Sequence, residues 1–400
     1  MKSKCILLLT LLCFSCSSQI SSIENSSEQI TIEKKYTSLT ELTPFEKVDG
    51  YCEIKINKNC LGSDVFMLNG FPIQEGISMH PNANDDSSIT YDISKYNYDT
   101  FVATIGKNDQ QQGYKVKFYV YVDEELKYES NYLQEAMMED IKIDISGAKK
   151  LKLVVNNGGD GHSFDASTWG YPTLINEKDL KITSIIPENI NYITCFNKDL
   201  DINNFSAIIK YNCGYFKRVN KGLSINDYDK EKVGLQEINI IYEDFSFPYK
   251  IYCLEEKDFE KINKKNIKEY ASLNDRITFG KEYSDGSEFS IAGIRYQNGI
   301  GLHPLSDTKP AYISFDVTNY NRFHSVIGKT RYSLRNEVCF YIYGDDNLLY
   351  KSKFLIPSEY EVVDISILGI KTLKVVIDDG DDGKDYDSSG LGDTFIYNKL

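Results

Sequence analysis

Apolar and polar residues alternate with a period of two along much of this 400-residue chain. Val116, Phe118, Val120 and Val122 share one face of an extended segment, and Lys117, Tyr119 and Tyr121 share the other. That period is the signature of a strand with one buried face. Ile141, Ile143 and Ile145 repeat the pattern, as do Leu151, Leu153 and Val155, and the turn residues Ser146-Gly147-Ala148 stand between the two runs. Much later, Val338, Phe340 and Ile342 form another inward set. This register puts Cys339 on the outward face, aligned with Lys117, and so outside the core.

The recurrence is not confined to one strand. Gln74-Glu75-Gly76-Ile77-Ser78-Met79-His80-Pro81 returns as Gln297-Asn298-Gly299-Ile300-Gly301-Leu302-His303-Pro304, and Thr90-Tyr91-Asp92-Ile93 returns as Ser314-Phe315-Asp316-Val317. Ile105-Gly106-Lys107 answers Ile327-Gly328-Lys329, and Leu151-Lys152-Leu153-Val154-Val155 answers Leu373-Lys374-Val375-Val376-Ile377. Ordered matches at a nearly constant offset define two copies of one module. Short strands punctuated by Gly, Asn, Asp and Ser predict an antiparallel sandwich or jelly roll for each copy.

Between the copies Phe205, Ala207, Ile209 and Tyr211 alternate, and Leu235 to Tyr242 reads as a late strand. Segment 181–256 therefore reads as a small immunoglobulin-like β-sandwich, and its Asp229-Lys230-Glu231-Lys232-Val233-Gly234-Leu235-Gln236 stretch resembles bacterial immunoglobulin-like spacers. The expected organisation is a signal segment 1–15, a tether 16–40, a first sandwich 41–180, the spacer 181–256, a lysine-rich linker 257–270 with one or two helical turns, and a second sandwich 271–400. The fold class is all-β: two jelly-roll sandwiches separated by a smaller one.

Composition supports this and adds a location. Thirty tyrosines and twenty phenylalanines against one tryptophan favour strands. Lys2 and Lys4 precede an apolar run from Cys5 to Phe14 that is too short to span a bilayer, which reads as a signal peptide. Ser15 before Cys16 resembles the processing site of bacterial lipoproteins, so Cys16 is the expected lipidation site of an exported, membrane-anchored protein, periplasmic or on the cell surface; ordinary signal-peptidase cleavage is the alternative. A net charge of −14 repels phosphate backbones, so nucleic acid is not an expected partner and the lipid is the expected membrane contact. Six cysteines follow Cys16, and Cys52 and Cys60 are the nearest pair; a bridge between them and free thiols both remain open.

The repeated unit resembles the carbohydrate-binding module family NPCBM. The matching features are the Gly76 to His80 and Gly299 to His303 turns, Tyr91-Asp92-Ile93, Phe101 to Gly106, Phe118 to Asp123, Ile145 to Leu151, and the acidic loop that runs to Asp165 and Trp169. The resemblance implies a galactose-binding-like jelly roll, a structural calcium ion, and in some members recognition of galactose-type glycans. Copy one has Thr168 where the family often has a second acid, and copy two keeps Asp387 but has Leu391 in place of the tryptophan.

Candidate chemistry follows from these loops. Asn156-Asn157-Gly158-Gly159-Asp160-Gly161 and Asp378-Asp379-Gly380-Asp381-Asp382-Gly383 gather hard oxygen ligands of the kind calcium takes, with Asp165 in copy one and Asp385 and Asp387 in copy two as further candidates. The same residues suit solvated turns. His80 and His303, each before a proline, either donate to a sugar hydroxyl or pin a turn, and the turn is favoured. Trp169 either stacks on a sugar face or fills the core, and the resemblance, which implies that this position belongs to the fold's closing segment, favours the core. Asn82 and Asn84 add polar groups near His80, so His80, Asn82, Asn84, Asp165, Trp169 and His303 are the candidate ligand residues.

No catalytic constellation stands out. The chain has neither a His-Glu-x-x-His motif nor a glycine-rich phosphate loop after a strand, and three β-modules leave no room for a catalytic domain. The reading is a non-enzymatic binder of glycans or glycoconjugates; a surface scaffold or adhesion protein that uses the same sandwiches without sugar is the alternative.

Overall fold

A computed structural model describes residues 35–399 apart from 63–65, 110, 112, 136, 203, 276, 283–285, 331–335 and 386. Cys16 and the signal segment lie outside the described residues. Among those residues every regular element is a strand or a short 3-10 turn.

In copy one the alternating segments become two facing antiparallel sheets. The first runs Met138–Asp144, Thr100–Lys107, Ser167–Ile175, Gly76–Met79, Lys55–Ile56, and Tyr36–Ser38 also pairs with Ser167–Ile175. The second runs Glu125–Glu129, Lys117–Val122, Lys150–Asn156, Ser87–Asp92, Glu46–Val48. The residues expected to face inward do so: Phe118, Val120, Leu151, Leu153, Val155 and Ile141 share one core. Trp169 is fully buried there, its ring edge-on to Phe118 at 5.0 Å, so the only tryptophan joins the two sheets rather than facing solvent.

Copy two repeats this strand for strand. Tyr360–Ser366, Arg322–Lys329, Ser389–Tyr397, Ile300–Leu302 and Thr278–Phe279 face Asn347–Lys351, Cys339–Gly344, Thr372–Asp378, Ala311–Asp316 and Ile267–Ala271. The register is preserved, with Lys150 opposite Asp92 in one copy and Thr372 opposite Asp316 in the other. Leu391 occupies the tryptophan's place and is equally buried.

Two sequence expectations need correction here. The stretch expected to be a linker, 257–270, supplies strands of copy two: Phe259–Lys261 pairs with Ser389–Tyr397 and Ile267–Ala271 with Ala311–Asp316. They match Tyr36–Ser38 and Glu46–Val48 of copy one, and charge hid them because both are edge strands with one face in water. Cys339 does point away from Phe340 and Ile342, yet it is only 1% exposed. The returning chain at Ser352 covers it, and its Sγ donates to the Ser352 carbonyl at 3.4 Å.

The middle module is a sandwich of a three-stranded sheet (Ile182–Glu188, Ser206–Tyr211, Phe216–Val219) and a four-stranded one (Ile193–Cys195, Phe245–Leu254, Gly234–Tyr242, Leu223–Asn226). Phe205, Ala207, Ile209 and Tyr211 all enter its core, and Val102 and Ile175 of copy one join them. On the other side Ile193, Tyr252 and Leu254 pack against Phe395 and Tyr397 of copy two. Arg218 is held by Glu188 at 2.8 Å and also donates to the Gly293 carbonyl at 3.1 Å. The copies themselves touch where Gly70 meets Gly293: a Cβ on Gly70 would lie 3.0 Å from the Gly293 Cα. Residues 35–399 thus form one contiguous packed body in which the middle module contacts both copies.

Candidate functional site

The loops at one end of copy one bring together residues distant in sequence. Gly50 lies so close to the turn after Gly76–Met79 that a Cβ would sit 2.2 Å from the His80 carbonyl oxygen, and the next amide, Tyr51 N, donates to that oxygen at 2.8 Å. This close approach requires glycine and lays the Tyr51 ring on His80, centroids 4.9 Å apart. His162, from the acidic loop, stands 5.8 Å from the same tyrosine ring. Tyr51 is 63% exposed, and Phe164 and Tyr114 nearby in the same loops are 54% and 40% exposed. Gly161 packs against the Tyr114 ring, which carries the surface from Tyr51 through His162 toward Tyr114.

The predicted residues divide by role. His80 is buried and its Nδ1–H donates to the Pro81 carbonyl at 2.8 Å; burial holds its imidazole below the usual range. His303 does the same with Pro304 at 2.9 Å, so both histidines pin a turn. Asn82 accepts from the amides of Asn84 and Asp85 at 2.8 and 2.7 Å, an Asx turn that leaves Asn84 exposed beside the site. Asn157 ties the acidic loop to this turn by donating to the Asn82 carbonyl at 3.1 Å. Asp165 and Trp169 are fully buried and present no surface to a ligand.

Asp165 instead faces Lys107, with Nζ 3.8 Å from Oδ1 and neither side chain exposed. Burial pushes the carboxyl up to about 7 and the ammonium down. Lys107 also donates to the carbonyls of Gly113 and Tyr114, so it holds the loop that presents Tyr114. Copy two has the same device: Lys329 meets Asp387 at 2.9 Å and the Asn336 carbonyl at 3.0 Å. The repeated Ile-Gly-Lys motif was visible in the sequence, but its buried partner was not.

The candidate calcium ligands make other bonds. Asp160 accepts from Lys115 N at 3.4 Å, Asp379 from Asp381 N at 3.3 Å and Asp382 from Glu337 N at 2.9 Å, while Asp385 pairs with Lys384 at 3.0 Å. Asp165 and Asp387 each face a lysine. Among the described residues no three His, Cys, Asp or Glu side chains come together to hold a metal. Cys52 and Cys60 are free thiols side by side, and the hydrogen bond between them drives the Cys52 thiol up and the Cys60 thiol down.

Sequence reasoning missed Tyr51 and His162. The available signal was a histidine inside the glycine-rich loop, one of only four in the chain. Copy two lacks the pair: Leu273 N makes the Tyr51 bond, to His303 O at 3.0 Å, and Lys384 stands in the place of His162 three residues before the buried aspartate.

Two twin-sheet sandwiches joined through a smaller one define a tandem, module-type protein. The chain belongs to the NPCBM/NEW2 domain family, whose model matches residues 35–175 and 260–395, and its repeated units are carbohydrate-binding modules. Among solved structures, the CBM51 module from Clostridium perfringens GH95, in complex with methyl-galactose, is 28% identical over 35% of this chain and 99% of that one, TM-score 0.32. Tandem CBM51 modules of Sp3GH98 from Streptococcus pneumoniae SP3-BS71 are 14% identical over 91% of this chain and 99% of that one, TM-score 0.32. The M60 catalytic domain with two CBM51 domains from Clostridium perfringens ZmpB is 19% identical over 91% of this chain, TM-score 0.35, and this chain spans 39% of its length. No curated protein sequence matches the chain.

Proposed function

We propose that this protein is a non-catalytic, exported lipoprotein of the cell envelope that holds a galactose-type glycan at the Tyr51–His162 end of copy one. The observation that carries the reading is the exposed Tyr51 ring flanked by the imidazoles of His80 and His162. A flat aromatic ring complements the C–H face of a pyranose, and neighbouring imidazole and amide groups suit its hydroxyls. The choice of sugar follows what the sequence resemblance implies, recognition of galactose-type glycans by some members of that family. Copy two, with Leu273 and Lys384 in these places, lacks this loop site, and the middle module is an immunoglobulin-like sandwich between the copies.

Titrating the chain from residue 17 onward with methyl-galactoside should give binding in the micromolar to millimolar range, about 4 to 8 kcal/mol. Tyr51→Ala and His162→Ala should each weaken it about tenfold or more, a loss of about 1.4 kcal/mol. Unchanged affinity in both variants refutes the site. A folded chain that ignores every sugar on a broad glycan array would leave the scaffold reading in its place. For the anchor, Cys16→Ser should move the exported protein from the membrane to the soluble fraction; a variant that still sediments with membranes refutes lipidation.

A further inference from the structure

The outer face of the Thr100–Lys107 and Ser167–Ile175 strands packs on the middle module through Val102, and copy two presents the matching face to the other side of that module. The two faces are filled differently. Where copy one has Val102 and Tyr171, copy two has His324 and Asp393. Beside them is a cleft of about 730 Å³, within the range of small-molecule sites. Tyr192 and Tyr249 line it from the middle module, and Tyr296 and Tyr360 from copy two.

The polar groups in this cleft are held but not satisfied. Tyr192 stacks on His324 with centroids 4.1 Å apart and planes 13° from parallel, and Tyr192 N donates to Asp393 Oδ2 at 2.8 Å. His324 Nε2 is 3.9 Å from the same oxygen, too far for a hydrogen bond. His324 Nδ1 and Asp393 Oδ1 have no hydrogen-bond partner, although the two residues are only 3% and 7% exposed. An unpartnered buried polar atom is destabilising, so two of them in one cleft are poorly explained by packing alone. Burial pushes the Asp393 carboxyl up to about 6 and the His324 imidazole down to about 4. At neutral pH the pair therefore offers a carboxylate acceptor and a neutral imidazole.

We propose that this cleft between the middle module and copy two is a second carbohydrate site, built for a single neutral pyranose residue. Tyrosine rings meet the apolar face of the sugar, and Asp393 and His324 take two of its hydroxyls. Asp364, on the same wall, is held by Arg322 at 2.9 Å, and Lys250 and Glu237 both line the cleft, so the wall carries little net charge and suits a neutral ligand. The site shares no residue with the Tyr51–His162 end, and both modules are needed to form it.

The test uses the chain from residue 17 onward carrying Tyr51→Ala and His162→Ala, so that only the cleft can respond. Methyl-galactoside, N-acetylglucosamine and choline are each probed by saturation-transfer NMR and calorimetry. The expected result is that one of the two sugars still binds, and that adding Asp393→Asn weakens it about tenfold. Asparagine keeps the shape and the acceptor for Tyr192 N; Tyr360→Ala, at a side chain 44% exposed, is a second variant that leaves the fold alone and should have the same effect. Loss of all sugar binding in the Tyr51/His162 background overturns this proposal and leaves the first site standing. Sugar binding that survives both cleft variants, or choline bound in place of sugar, also overturns it. If the wild-type chain binds no more sugar than the Tyr51/His162 variant does, and the cleft variants abolish that binding, the first site is refuted and this one stands.

Discussion

Replacing Lys329 with methionine isolates the buried ion pair of copy two. In the native chain Lys329 Nζ lies 2.9 Å from Asp387 Oδ1 and 3.0 Å from the Asn336 carbonyl, and both charged side chains are fully buried. Burial raises the Asp387 carboxyl from 3.8 to about 7 even with the lysine in place, which makes its charged form costlier in the folded state by about 4 kcal/mol. A carboxyl raised on folding takes up protons more readily than the unfolded chain does. Its contribution is most favourable below pH 4, and stability falls as pH rises from about 4 to about 7. Without Lys329 nothing offsets the buried carboxylate, so its titration moves higher still. At pH 8, about one unit above the native titration, keeping the unpaired carboxyl protonated adds at most about 1.4 kcal/mol, so Lys329→Met should cost copy two about 2–3 kcal/mol. At pH 5 Asp387 is protonated in both proteins, and the cost should shrink to about 1–2 kcal/mol for the lost hydrogen bond and packing. Hydrogen exchange at the Phe340 and Ile342 amides, corrected for intrinsic rates, reads this opening free energy, with Phe118 and Val120 of copy one as the internal control. The double variant Lys329→Met/Asp387→Leu should recover most of the loss at both pH values. Equal destabilisation at pH 5 and pH 8, or less than about 1 kcal/mol at pH 8, would refute the argument.

Trp169→Ala should destabilise copy one by about 3–5 kcal/mol because it empties the contact with Phe118, whereas Tyr51→Ala should stay within about 0.5 kcal/mol; denaturant melts of the two distinguish a core ring from a surface one. Gly50→Ala should lower the melting temperature and the galactoside affinity together, since its Cβ would collide with the His80 carbonyl and displace Tyr51; normal affinity in a folded variant counts against the Tyr51 site. Mild oxidation should join Cys52 to Cys60, removing two alkylatable thiols at once, and persistence of both thiols under glutathione disulfide would show that their geometry forbids the bond.

The period of two and the repeat were enough to read both sandwiches, because an antiparallel sheet buried on one face writes its register into every second residue. Phe118 and Leu151 took core places for that reason, Trp169 took the core place that the family resemblance implied, and the proline after each histidine already pointed to a turn. Edge strands carry no such record: Phe259–Lys261 and Ile267–Ala271 are charged on the side that meets water, so a linker and a strand look alike in sequence. Cys339 shows the same limit from the other direction, since alternation tells which face of a sheet a residue occupies but not whether a later segment folds over that face. Tyr51, His80 and His162 lie on three loops separated by tens of residues, and the pairing of Lys329 with Asp387 spans 58 positions. Contacts of that range are fixed by sheet topology and loop closure. Alternation alone also gave no hint that one outer face would bury valine against the middle module while its twin would bury histidine and aspartate, because which outer face meets a neighbouring module is decided only when the modules pack.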